Sequence, residues 1–194
     1  MNKKDIIEFF NSLAPSWDAD MIKNDAIIAK ILTGARVEKG TTVLDVACGT
    51  GVLFPYYLEF GVKELTGVDI SPEMIKIARE KFGGNEKISL ICADVEDLKG
   101  QKFDRIVVYN AFPHFPNPEN LIKTLSGMLN SGGTLTIAHG MSKAAIDSHH
   151  SGSAQKVSVG LMEAEYLANL FKPYLNPYLV ISNNEMYQVS AIKE

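Results

Sequence analysis

The apolar and polar positions of this chain fall into two alternating rhythms. Near-continuous apolar runs over residues 42–46, 64–69, 88–93, 104–109 and 134–138 predict strands covered on both faces. Stretches with helical spacing lie between them, over residues 51–60, 72–82 and 118–129. Ser71-Pro72-Glu73 reads as a helix start, with a capping serine, proline at the first helical position and an acid in the first turn. Asn130-Ser131-Gly132-Gly133 reads as a helix stop and a turn before the fifth strand. Strand and helix repeated at this spacing predict an α/β fold, a doubly wound, mostly parallel sheet with right-handed crossovers. Ligands of such a sheet sit beyond the carboxyl ends of its strands.

The two ends of the chain read differently. Residues 178–182 and 185–192 flank Asn183-Asn184 and predict an antiparallel hairpin closing the sheet. A helix over residues 161–171 precedes it, stopped by Pro173. The first 40 residues predict a helical lid ahead of the sheet core, and the absence of repeats or biased segments predicts one domain over 1–194.

Composition narrows the function classes. The net charge of −4 and the absence of any basic run longer than Lys3-Lys4 argue against a general nucleic-acid surface. No apolar run reaches the roughly 18 to 20 residues that span a bilayer, so no membrane insertion is expected. Cys48 and Cys92 form no CxxC pair, and a reduced, cytoplasmic protein is the simplest reading.

The chemistry concentrates just after the strands. In Val43-Leu44-Asp45-Val46-Ala47-Cys48-Gly49-Thr50-Gly51, Gly49 and Gly51 can take unusual backbone angles and let a ligand approach closely. A dinucleotide fingerprint would need glycine where Phe54 stands, and no GK[ST] triplet marks a phosphate loop. With Asp45 at its mouth, the loop suits a ligand carrying positive charge and no phosphates. A tight turn with a capping aspartate is the alternative. Asp69, about twenty residues after the glycines, stands where an acid accepts from both ribose hydroxyls. Asp94 follows the third strand, where a carboxylate can accept from an adenine amino group; a solvated loop explains it as well.

VLDVACGTG, GVDIS, CADVEDL and FDRIVVYNAFPHF, in this order over roughly residues 40–140, resemble the class I S-adenosylmethionine-dependent methyltransferase family. The opening FFNSLAPSWD is similar to the ubiquinone/menaquinone-biosynthesis branch of small-molecule enzymes. The resemblance implies S-adenosylmethionine as cofactor. It places Asp45, Ala47 and Gly49 at the methionyl part, with Gly51 completing the loop, and Asp69 at the ribose. Ile70 would pack on the adenine, with Asp94 and Val95 at its polar edge and Tyr109 and Asn110 nearest the sulfonium. Ala47 replaces a glycine common in relatives, which an ordinary backbone angle would allow.

A small-molecule methyl acceptor is then expected beyond strand four, near Tyr109, Asn110, Phe112, His114 and Phe115. Phe9, Phe10 and Trp17 either cover it or anchor a helix to the core. His114, His139 and the His149-His150 pair follow strands four and five and could share one rim. His114 or His139 is a candidate base, with Tyr109 a third catalytic candidate, while no HxxxH-type spacing marks a metal site. Cys48 reads as a packed residue, and Glu163 and Glu165 as solvated charge. Rival readings are a regulatory module that binds the cofactor without turnover, and a protein or RNA methyltransferase, which the YNAF sequence after strand four argues against. A nicotinamide oxidoreductase fits less well, given Asp45 and Phe54. The acceptor's nucleophilic atom and the oligomeric state stay open.

Overall fold

The computed structural model describes residues 2–150 and 156–194. Seven strands form one sheet: β1 (Thr42–Val46), β2 (Glu64–Asp69), β3 (Ile88–Cys92), β4 (Phe103–Tyr109), β5 (Leu129–His139), β6 (Asn176–Ser182) and β7 (Tyr187–Ile192). Their order is β3-β2-β1-β4-β5-β7-β6. The first five run parallel, and β7 pairs antiparallel with both β5 and β6. The chain therefore builds the doubly wound, mostly parallel sheet with an antiparallel C-terminal hairpin that its pattern predicts.

Helices cover both faces. On one side, α6 (Pro118–Gly127) and α8 (Ala164–Phe171) bury Leu121, Ile122, Leu125, Leu167 and Phe171 against Leu44, Val46, Ile106 and Val108. On the other, α3 (Asp25–Gly34), α4 (Phe54–Glu59) and α5 (Pro72–Phe82) bury Ile28, Leu32, Phe54, Tyr57 and Ile75 against Val43, Leu65 and Val107. The Ser71 side chain accepts from the Met74 N–H and starts α5, with Pro72 at the first position.

Three elements differ from the sequence pattern. Residues Asn130 to Gly133 are not a separate turn: β5 begins at Leu129 and carries them as an irregularity in its register with β4. Gly132 takes φ +74°, and its N–H reaches the Lys193 carbonyl at 2.8 Å, so pairing with the chain's end absorbs the turn. α4 starts at Phe54 because residues 50–53 are spent turning off β1. Between β5 and α8 an unanticipated helix, α7 (Lys143–His150), is followed by a return in which the Asp147 carboxylate accepts from the Leu161 N–H at 3.0 Å.

The N-terminal segment contains α1 (Lys3–Leu13), α2 (Trp17–Asp20) and α3. The end of α3 is fastened to the sheet by polar groups. Its Ile31 carbonyl accepts from Gln188 Nε2 at 3.1 Å and its Gly34 carbonyl from the Tyr178 hydroxyl at 2.8 Å. Just beyond, Ala35 accepts from Thr134 Oγ1 at 2.8 Å and Arg36 from Arg105 Nε. Carbonyls at a helix end have no intrahelical partner, and here side chains from β4, β5, β6 and β7 supply the donors. Gly34 permits this contact, since a Cβ there would stand 2.7 Å from Gln188 Nε2. Among the described residues no helix is long and apolar enough to cross a membrane. Thr134→Val should leave the buried Ala35 carbonyl without its donor and lower unfolding stability by about 1–3 kcal/mol. Urea denaturation, with an unchanged denaturant slope, measures the loss.

Candidate active site

The carboxyl ends of β1 to β4 open into a cleft of about 1250 Å³, its open mouth included. Ala47 and Gly49 line it after β1, Asp69 and Ile70 after β2, and Asp94 and Val95 after β3. Tyr109, Asn110 and His114 line it after β4. Parallel strands end on one edge, so residues remote in sequence meet there.

Asp69 organises the donor side. Gly49 N–H donates to its Oδ2 and Ser71 N–H to its Oδ1, both at 2.8 Å. Burial pushes this carboxyl up from the usual carboxylate range, opposed by the N–H groups of Ser71, Gly49 and Ile70. The two oxygens together offer about four lone-pair sites, so these backbone bonds leave capacity for a ligand hydroxyl.

The glycine loop departs from expectation at Ala47. Its φ is +55°, alongside +54° at Gly49 and +86° at Gly51, so the alanine stands in the left-handed region rather than at an ordinary angle. The loop reverses within a few residues to carry the Cys48 N–H back to the Val68 carbonyl, and the alanine accepts a strain of roughly 1–2 kcal/mol. Gly51 does not reach the cleft wall; a Cβ there would meet Phe54 and Phe82 at 2.8 Å, so this glycine serves packing.

Asp45 also lies behind the wall. The two-residue strand period sets it on the Val43 face, towards Tyr57 and Cys48, while Val46 lines the cleft. It is 2% exposed, and its Oδ2 has no hydrogen-bond partner among the described residues. Burial, then the Asp69 charge, pushes this carboxyl well above the usual range. The two carboxylates so placed are one at the surface of the cleft and one beneath it.

The strand-four side is aromatic. Asn110, at φ +53°, accepts from Gly140 N–H through Oδ1 at 3.0 Å, joining the ends of β4 and β5. Burial, partly offset by Asn110, pushes the Tyr109 hydroxyl up to about 12, so near neutral pH it remains a hydrogen-bond donor. His114 Nδ1 lies 2.8 Å from the Val157 carbonyl. A carbonyl only accepts, so Nδ1 carries the proton, and in the neutral ring Nε2 holds the basic lone pair. The Phe10 ring meets His114 edge-on at 4.9 Å.

His139 is separated from this group. It is 2% exposed, pairs across the sheet with Tyr187 and does not line the cleft. The side chains of His149 and His150 lie outside the described residues. Among the described residues no cluster of His, Cys, Asp and Glu could hold a metal ion. Phe10 and Trp17 line the cleft, together with Lys3, Ile6, Met21 and Lys23, which sequence spacing did not single out. Lys3, Ile6 and Phe10 fall on one face of α1, a periodicity visible in the sequence but lacking any sign of what it faces.

A carboxyl whose folded pKa is raised stabilises the fold below its unfolded value, about 3.9, and loses that contribution as pH rises through the folded value. Asp45→Asn should therefore stabilise the free protein by at least about 1 kcal/mol near pH 8 and have little effect near pH 4. Thermal unfolding of both proteins across that range measures the difference.

Residues 44–137 match the family described as "Methyltransferase domain". A ubiquinone biosynthesis O-methyltransferase of Xanthomonas campestris pv. campestris is 30% identical over 137 residues, covering 63% of this chain and 54% of that protein. The chain thus spans about half the length of this curated relative. The N-methyltransferase NodS of Bradyrhizobium japonicum, solved with S-adenosyl-L-homocysteine, superposes with a TM-score of 0.74 at 16% identity, over 100% of this chain and 99% of that one. Magnesium protoporphyrin IX methyltransferase of Synechocystis, with bound S-adenosylmethionine, gives 0.72 at 18% identity, over 99% and 97%. Residues 44–137 thus match a methyltransferase domain, and the whole chain takes the fold of these solved methyltransferases.

Proposed function

We propose that the protein transfers the methyl group of S-adenosylmethionine to a small, largely apolar acceptor bound between the strand-four loop and the N-terminal helices. The observation that carries this reading is the division of the cleft. Its donor half presents carboxylates, exposed backbone and apolar walls, and its other half presents aromatic rings around one histidine with a fixed tautomer.

The residues present fit the donor. Asp69 keeps lone pairs for ribose hydroxyls, Ile70 and Val95 offer apolar faces for adenine, and Asp94 offers a carboxylate at the ring's edge. Ala47 and Gly49 expose backbone to the methionyl part. Asp69, Asp94 and Glu96 would repel a polyphosphate but tolerate a ligand with positive charge. When bound, the sulfonium supplies an activated methyl group with a neutral leaving group. Tyr109 and Asn110 would stand nearest to it.

The remaining work is positioning and exclusion of water. Phe10, Trp17, Ile6 and Met21 form an apolar roof that leaves room for a small acceptor. Where the acceptor arrives as a hydroxyl, His114 takes its proton at Nε2 while Nδ1 stays bonded to Val157. Of the two candidate histidines His114 is the one in the cleft, and His139 would act only from behind it. The curated relative's O-methyltransferase description supports a hydroxyl acceptor.

Calorimetry with S-adenosylhomocysteine should show binding by the wild type and at least a tenfold loss in Asp69→Ala, about 1.4 kcal/mol. No heat with the wild type would reject the assignment. With an acceptor found by mass spectrometric screening, His114→Gln should lower kcat by about 100- to 10,000-fold and leave donor affinity unchanged. An unchanged kcat would mean an acceptor that arrives without a proton to lose.

A further inference from the structure

The N-terminal helices are pinned over the cleft by polar contacts to the positions that follow β1, β2 and β3. Asp18 accepts from Thr50 Oγ1 at 2.5 Å and pairs with Lys81 at 2.8 Å. Asn11 Oδ1 accepts from the Ser71 hydroxyl at 2.7 Å. At the third point, Lys3 Nζ forms an ion pair with Asp94 Oδ2 and lies 3.8 Å from Glu96 Oε2. The first two pins use groups that no part of the donor reading needs. The third uses a carboxylate that it does.

Lys3 and Asp94 both line the cleft, so an amino group reaching Asp94 Oδ2 from inside it meets the Lys3 ammonium there. Asp94 Oδ1 caps the turn that follows β3 by accepting from Glu96 N–H at 2.9 Å. Its Oδ2 is the oxygen left for a ligand amino group, and Lys3 holds it with an N–H donor of the same kind. The Asp94 side chain is 13% exposed and that of Lys3 53%, so the lysine can withdraw to water at little cost.

We propose that Lys3 is a built-in stand-in for the adenine amino group: it holds α1 over the cleft and must release Asp94 for the donor to seat. The inference rests on the proposed donor site. It makes α1 a self-competing segment whose first turn occupies the adenine end of the cleft, while Phe10 and Trp17 cover the other end. Donor binding then exchanges one N–H···carboxylate contact for another. The exchange works against donor affinity by only the worth of a half-exposed ion pair.

Isothermal titration of S-adenosylhomocysteine into the full chain tests it. Lys3→Met should tighten binding about two- to fivefold, and Lys3→Arg should behave as wild type. Added salt screens the ion pair, so wild-type affinity should rise with ionic strength while the Lys3→Met affinity stays flat. Trp17, the only tryptophan, sits over the loop, its Nε1 3.7 Å from where a Gly49 Cβ would stand. Its emission should change on ligand addition faster in Lys3→Met than in wild type. Unchanged or weaker binding by Lys3→Met, with Asp94→Leu still weakened, overturns the stand-in role and leaves the donor site intact. Unchanged binding by Asp94→Leu, which has no acceptor, overturns the adenine assignment itself, and the proposal with it.

Discussion

The carboxylate of Asp69 ties the cleft together. Two backbone N–H groups, one from the glycine loop and one from the start of α5, end on its two oxygens. Without it both turns would present unpaired donors to a partly apolar space, at a cost of about 1–3 kcal/mol each. With it, the ends of β1 and β2 are locked at one spacing, and Asp69 still lines the cleft. The group that would recognise the ribose is therefore also the group that shapes its pocket, and binding geometry is built before any ligand arrives.

That geometry rests on a sheet whose two flanks are held by different forces. The α3 end is fastened by side-chain donors from β4 to β7 reaching its terminal carbonyls, those of Thr134 and Gln188 buried away from competing water. By contrast, α1 and α2 are held by contacts at the rim, such as Lys3 with Asp94, and by aromatic edges, such as Phe10 with His114 and with Trp17. Local opening draws on regions with few buried contacts and solvated hydrogen bonds. The segment ahead of Asn24 meets that description, and α3 does not.

Much of this was legible in the sequence where local chemistry decides. β1, β2 and α5 begin and end where apolar pattern, the Ser71 cap and Pro72 put them. The glycine loop and Asp69 were legible because close backbone approach and an acid at a strand tip leave compositional traces. What the pattern misplaced depended on partners remote in the chain. Residues 130–133 carry turn chemistry, yet Lys193 pairs with Gly132 and Gly133 and keeps them in β5. Ala47 occupies a left-handed angle that alanine disfavours, since the return to Val68 outweighs its strain. Asp45 and Val46 are neighbours in sequence on opposite faces of a strand, and only the layer of helices on each side decides which one meets the cleft. In the sequence His114 and His139 carry no mark of whether a ring is roofed by Phe10 or buried against Tyr187.

The fastening of α3 has one more consequence. It ties α3 to β4, β5, β6 and β7 using nothing that precedes Asn24, so this joint and the roof of the cleft draw on separate stretches of chain. Exposed positions among the first twenty or so residues can vary without touching that joint, whereas Ile6 and Ala14 are buried and tie the segment to the core. A chain so divided can vary the roof of its cleft without rebuilding the joint between α3 and the sheet.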